Sequence, residues 1–201
     1  MWQLAGHSRA TTLLQQSLRN GQLSHAYLFV GPAHVGKSTL ALNLAQAVNC
    51  DSENRPCQEC TSCRRIAASK HPDFRVIDLL PEKAKSISID QIRNMQTETH
   101  LPPYEGKHKV FVIDGAHLLS HEAANSILKI LEEPPPNVLI MLLTTNESAL
   151  LPTIASRCQR VELRPLPFGA VRDVLVTDHQ IPQGKADLLA RLSRGCLGWA
   201  I

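Results

Sequence analysis

The chain has 201 residues, enough for one sizeable core or for one core with a small appendage. Its 43% hydrophobic and 19% charged residues exclude a disordered chain, and a net charge of +3 is too small to argue for nucleic-acid binding by composition alone. No apolar run reaches the ~18 residues of a membrane span, and Met1-Trp2-Gln3-Leu4-Ala5-Gly6-His7 is not a basic region followed by an apolar stretch, so neither a span nor a secretory signal is expected and the default location is cytoplasmic.

Leu13, Leu14 and Leu18 share one face of a first predicted helix, which ends near Asn20-Gly21. Ala26 to Val30 is a short apolar run that stops at Gly31-Pro32 and reads as a buried strand. Residues 38–48 suit a helix, interrupted by the polar, cysteine-rich stretch 49–63. Phe74 to Asp78 is a second strand, and Ile89 to Thr97 a helix with Asp90 near its start. Lys109 to Asp114 is a third strand, apolar almost throughout, as a central strand of a parallel sheet must be. His121 to Leu131 is a helix ended by Pro134-Pro135-Pro136, Val138 to Leu143 a fourth strand, and Gln159 to Leu163 a fifth. After Arg164-Pro165-Leu166-Pro167 the pattern changes, with two helices over 168–177 and 185–194 and no strand between them. Strands alternating with helices, then helices alone, predict an α/β domain over residues 1–164, with a cysteine insert at 49–65, and a small helical lid over 165–201. Gly198-Trp199-Ala200-Ile201 reads as the interior of a helix, so the expectation is a piece of something longer. No internal repeat or low-complexity segment is visible.

Gly31-Pro32-Ala33-His34-Val35-Gly36-Lys37-Ser38 fits G-x-x-x-x-G-K-[ST] between a predicted strand and a predicted helix. Its glycines allow a tight turn whose N–H groups face phosphate oxygens. Lys37 supplies positive charge at the β- and γ-phosphates, Ser38 a hydroxyl for Mg²⁺, and the helix opening at Ser38-Thr39 its N-terminal dipole. Gly31, Gly36, Lys37, Ser38 and Thr39 are therefore the candidate binders of ATP with Mg²⁺. Asp114, ending the third strand, is the candidate carboxylate for the Mg²⁺ shell. Gly115 follows it, where many ATPases of this type carry the Glu that polarises the attacking water, so binding and hydrolysis are separate questions here.

Cys50-x6-Cys57-x2-Cys60-x2-Cys63 offers four thiols within fourteen residues. In a reducing compartment such clustering reads as a metal site sooner than as disulfides, and four cysteines suit a closed, structural Zn²⁺ knuckle that depends on metal for its fold. Cys158 and Cys196 have no sequence partner and read as small apolar residues, and the nine histidines form no ligand pair.

Several segments together resemble one family, the AAA+ clamp-loader subunits of bacterial DNA polymerase III. They are His25-Ala26-Tyr27-Leu28-Phe29, the four-cysteine insert, Ala123 through Leu131-Glu132-Glu133-Pro134-Pro135, Thr144-Thr145-Asn146 and Ser156-Arg157-Cys158. The resemblance covers essentially the whole chain and implies a P-loop AAA+ parallel sheet flanked by helices. In the motor branch of the family, gamma/tau, an Asp-Glu pair stands at the magnesium strand and a nucleotide-sensing Arg in the lid. This chain has Asp114-Gly115, and Gly195-Cys196-Leu197-Gly198-Trp199-Ala200 holds no Arg where that sensor aligns. Both departures resemble the delta-prime branch. The resemblance then implies a stationary member of a hetero-oligomeric ring with gamma/tau and delta subunits, which loads the sliding clamp onto primer-template DNA.

In that role Arg157 is an arginine finger for the neighbouring subunit's ATP, Asn146 aligns with the family's γ-phosphate sensor, and Trp2, Leu4 and Gly6 align with the segment near the adenine. Glu132 and Glu133 oppose the dipole of the helix they end, an unfavourable local choice that reads either as a functional or interface constraint or as a solvated charged turn. The competing readings are a gamma/tau-type motor ATPase, a scaffold with a vestigial P-loop, and an unrelated P-loop enzyme. Gly115 and the missing lid Arg argue against the first, nucleotide binding would separate out the second, and the third would need a substrate base that the sequence does not offer.

Overall fold

The structure, a computed structural model, describes residue 2 and residues 4–80 and 85–201. In chain order its elements are α1 (Ser8–Arg19), β1 (Ala26–Val30), α2 (Lys37–Asn49), α3 (Thr61–Ala67), β2 (Phe74–Ile77), α4 (Ile89–Thr99), β3 (Lys109–Asp114), α5 (His121–Glu132), β4 (Val138–Thr144), α6 (Pro152–Ala155), β5 (Gln159–Glu162), α7 (Phe168–Thr177), α8 (Gln183–Leu192) and α9 (Leu197–Ala200). The five strands form one parallel sheet in the order β2-β3-β4-β1-β5.

The apolar runs of β3 and β4 follow from burial on both faces. Alternate residues of a strand point to opposite sides, and here each side has its own core. Leu139, Met141 and Leu143 of β4 join Tyr27, Phe29, Val110 and Val112 beneath Leu14 of α1 and Leu40, Leu44 and Val48 of α2. Ile140 and Leu142 join Leu28, Phe111 and Ile113 beneath Ile92 and Met95 of α4 and Ile127 and Leu131 of α5. A third cluster, Val171, Leu175, Ala186, Ala190 and Ala200, belongs to α7, α8 and α9.

Register brings the chemistry to one edge. Asp114 pairs with Leu143, and Val30 with both Thr144 and Glu162. The carboxyl ends of β3, β4 and β1 are thus adjacent, which is where ligands of open α/β sheets bind.

Two expectations shift. The stretch 49–63, read as irregular, contains the start of α3, whose Ile66 is fully buried in the first core. The last lid helix read at 185–194 runs from Gln183 to Leu192, because Arg194 and Gly195 take left-handed φ values of 50° and 83° that no right-handed helix holds. Among the described residues no helix is long and apolar enough to cross a membrane.

Candidate nucleotide and metal sites

The phosphate loop connects β1 to α2 and is held from three directions. At its entry, a Cβ on Gly31 would lie 2.4 Å from the Leu163 carbonyl oxygen, so the backbone passes too close to the exit of β5 for any side chain. At its end, Gly36 has φ 111°, a left-handed value that favours glycine. Between them the carbonyls are engaged. His34 O accepts from the Gly198 N–H at 3.0 Å. Val35 O accepts from His7 Nε2 at 2.9 Å, which fixes the proton on that nitrogen. A trans peptide aims each N–H opposite the preceding carbonyl, so the amides of Val35 and Gly36 point away from these outer donors. The first amides of α2 have no intrahelical acceptor and no side-chain cap.

Lys37 folds back over the loop and donates through Nζ to Gly31 O at 2.8 Å and Pro32 O at 2.7 Å. It is only 7% exposed. Burial pulls its ammonium below the usual lysine range, and the charge of Asp114 opposes this. Among the described residues no carboxylate lies within ion-pair distance of it. A buried cation whose hydrogen bonds go only to neutral oxygens, with a carboxylate acting on it from beyond ion-pair distance, is a ready partner for a bound anion. Ser38 Oγ donates to Asp114 Oδ2 at 3.1 Å, which joins the two candidate magnesium groups.

A cavity of about 950 Å³ opens over the loop, of a size that takes a nucleotide. The loop residues, Asp114, Gly115 and Thr145 form one side, Trp2 and Leu4 another, and Val174 of α7, His179 in the turn after it and Leu197 of α9 close it. The Trp2 indole N–H is buried and has no partner among the described residues, leaving an unsatisfied donor on the wall. These features fit a nucleoside triphosphate.

Gly115 has φ 82°, and a Cβ there would meet Leu118 Cδ1 at 3.1 Å. A glutamate at this position would have to adopt a strained backbone, so the missing carboxylate reflects a local conformation as well as a side chain. His117 lines the cavity instead. Its ring nitrogens lie 3.2 Å from Thr144 Oγ1 and 3.3 Å from Thr145 Oγ1.

Asn146, expected as the γ-phosphate sensor of this site, and Arg157, expected to act on a neighbour's nucleotide, both lie off this cavity. Asn146 is exposed, does not line it, and accepts through Oδ1 from Ser148 Oγ at 2.7 Å. Arg157 is half-buried just after α6. It donates through Nη1 to Thr153 O at 3.0 Å and pairs through Nη2 with Glu132 Oε1 at 2.7 Å.

The four clustered cysteines converge. Their sulfurs all lie within 4.8 Å of one another. Four sulfurs at about 2.3 Å from a tetrahedral ion stand about 3.8 Å apart, so a small contraction completes such a site. Cys50 follows α2, and Cys60 caps α3. The N–H of Cys60 donates to Cys57 Sγ at 3.3 Å and that of Cys63 to Cys60 Sγ at 3.4 Å. The amides of Cys60 and Glu59 bring the Cys57 thiol down to about 6, whereas burial pushes Cys60 and Cys63 up. A cation at the centre would offset that burial cost, so the donor set fits a metal ion. Gln46 Nε2 donates to Cys63 O at 2.9 Å and ties the cluster to α2. No cysteine is in a disulfide. Cys158 packs on the second core, where burial pushes its thiol up to about 12. Cys196 packs on the first.

The sequence profile of the family described as "DNA polymerase III, delta subunit" matches residues 6–167. The chain belongs to this family. It is 37% identical to DNA polymerase III subunit delta-prime of Bacillus subtilis over 186 residues, which cover 92% of this chain and 55% of that protein. It is 34% identical to subunit tau of Bacillus subtilis over 199 residues, covering 96% of this chain and 35% of the relative. Subunit tau of Escherichia coli is also 34% identical, over 201 residues, 96% of this chain and 31% of the relative. The chain therefore spans between about a third and just over half of these relatives.

Among solved structures, a gamma subunit-related protein of Thermotoga maritima superposes with TM-score 0.59 at 24% identity, over 90% of this chain and 57% of that one. The RuvB Holliday junction branch migration motor of the same organism gives 0.62 at 18%, over 98% and 60%. These likenesses establish the fold, a parallel sheet flanked by helices. The relatives that the chain matches include DNA polymerase III subunits of the delta-prime, tau and gamma/tau types.

Sequence reasoning did not find three residues of this family member's site. His7 and Gly198 reach the loop from far along the chain, and His117 enters through the turn after β3. None carries a spacing signal, because the contacts exist only after the sheet and the last helices have packed.

Proposed function

We infer that this chain is the delta-prime-type subunit of a DNA polymerase III clamp loader. In this reading Gly31, Gly36, Lys37, Ser38 and Thr39 bind the phosphates of ATP, and Ser38 and Asp114 hold its Mg²⁺. Asn146, the residue after the cavity-lining Thr145, would serve as a sensor by releasing Ser148 and turning toward the γ-phosphate. Bound ATP brings its own electrophilic phosphorus and a metal-neutralised charge. The protein's part is to wrap the phosphates in amides, set an ammonium beside them and exclude water beneath the last helices. Hydrolysis here is weak or absent, because Gly115 offers no base. The chain acts by giving Arg157 to the ATP site of a neighbouring gamma/tau subunit, within a ring that also holds delta and meets the sliding clamp and primer-template DNA in the cytoplasm. We place the lid at residues 165–201.

The observation that carries this reading is the position of Arg157, which lines no part of its own chain's nucleotide cavity and has a half-exposed side chain at the surface. The test is Arg157→Ala in the assembled complex. ATP turnover by the neighbouring subunit is expected to fall by on the order of 10³-fold, with ATP binding to this chain retained. Unchanged turnover removes the finger. The similar identities to tau and delta-prime favour a second reading, a working motor. Hydrolysis by the purified chain alone would establish it.

Cys50, Cys57, Cys60 and Cys63 would hold one Zn²⁺, which cross-links α2 to α3 and takes no part in catalysis. Elemental analysis should find about one zinc per chain, and a chelator should lower the melting temperature. A folded, zinc-free protein would refute the knuckle.

A further inference from the structure

We propose that Glu132 is a positioning residue that holds the Arg157 guanidinium ready for the neighbour's nucleotide. The inference rests on the arginine-finger reading above. Glu132 ends α5, where a carboxylate opposes the helix dipole and is locally unfavourable. The structure supplies the compensation: Glu132 Oε1 lies 2.7 Å from Arg157 Nη2, while Arg157 Nη1 donates to Thr153 O at 3.0 Å. Two runs 25 positions apart in sequence, Leu131-Glu132-Glu133-Pro134-Pro135 and Ser156-Arg157-Cys158, thus meet at one ion pair.

The pair is a poor stabilising device. Its side chains are 34% and 50% exposed, and water screens such pairs. It is a good ordering device. A guanidinium has five N–H donors in a fixed plane, and these two contacts take one from each terminal nitrogen, so the remaining donors stay available to a phosphate. A long side chain already ordered loses less conformational freedom when the neighbouring protomer docks.

The test uses the assembled complex and reads ATP turnover against ATP concentration. Glu132→Ala should lower kcat by between about 10- and 100-fold, the scale of a small misplacement of a catalytic group, and leave KM unchanged. Glu132→Gln keeps an acceptor oxygen and should recover most of the loss. In an Arg157→Ala background, Glu132→Ala should add nothing, since it acts only through the arginine. A thermal melt separates misfolding from misplacement, and an unchanged melt is expected. If Arg157→Ala cuts turnover but Glu132→Ala leaves it unchanged or raises it, the positioning role is overturned and the finger stands. If Arg157→Ala itself has no effect, both fall.

Discussion

The phosphate loop and the Arg157 surface, the two regions proposed to meet a nucleotide, are held by opposite means. The loop is enclosed. Gly31 presses on the Leu163 carbonyl, His7 and Gly198 grip its outer oxygens, and Lys37 closes it from within. Arg157 is held by one ion pair and one backbone oxygen, with water alongside. On the proposed function, the difference separates a site complete within one chain from a group that would join a site only when another protomer docks. Damage to the loop should therefore register in folding and binding, and damage at Arg157 in the neighbour's chemistry alone.

The sharpest way to break that contrast is Gly31→Ala. The new Cβ would lie 2.4 Å from a backbone oxygen that cannot rotate away. Destabilisation of about 3 kcal/mol, the upper range of overpacking, is expected in urea denaturation. Gly184→Ala is the control, because a Cβ there meets nothing within 4 Å, and its stability should be unchanged or slightly raised. Equal losses in both would mean that the loop is not built by this close approach.

Lys37→Met comes next and keeps the aliphatic stem. Losing two charge-assisted hydrogen bonds of about 1.5 kcal/mol each should weaken ATP binding by about 100-fold. Stability should move by less than about 1 kcal/mol, since relief of the ammonium's burial offsets its two lost carbonyl contacts. Calorimetric titration with ATP reads the first and denaturation the second. Undiminished affinity would detach the cavity from nucleotide binding.

The parts of this contrast that could be read in sequence are those set by local rules. The strands of the sheet were legible because burial on both faces forces continuous apolar runs such as Val138 to Leu143, and the loop because its glycines and lysine have fixed spacing. Helix α3 was hidden by the cysteines around it. It is seven residues long, and Cys60, not a residue that ordinarily marks a helix start, caps it. Gly115 could be read as a missing carboxylate but not as a left-handed turn. Glu132 could be read only as a conflict with its helix dipole. That the conflict is relieved by Arg157 depends on α5 and α6 packing side by side, which no local pattern encodes.

The smallest expected stability effect is the most informative about the second half of the contrast. Arg157→Ala removes a half-exposed ion pair and one hydrogen bond to a carbonyl at the surface. Such pairs contribute about 0.2–1 kcal/mol, so the urea midpoint should shift little, and less still at high salt. The same substitution should depress the neighbour's turnover by orders of magnitude, and that divergence distinguishes a group kept for use in trans from one kept for folding. Were the midpoint to fall as far as in Gly31→Ala, Arg157 would be holding α5 to α6, and a loss of turnover in the complex would follow from a damaged subunit instead of a missing guanidinium.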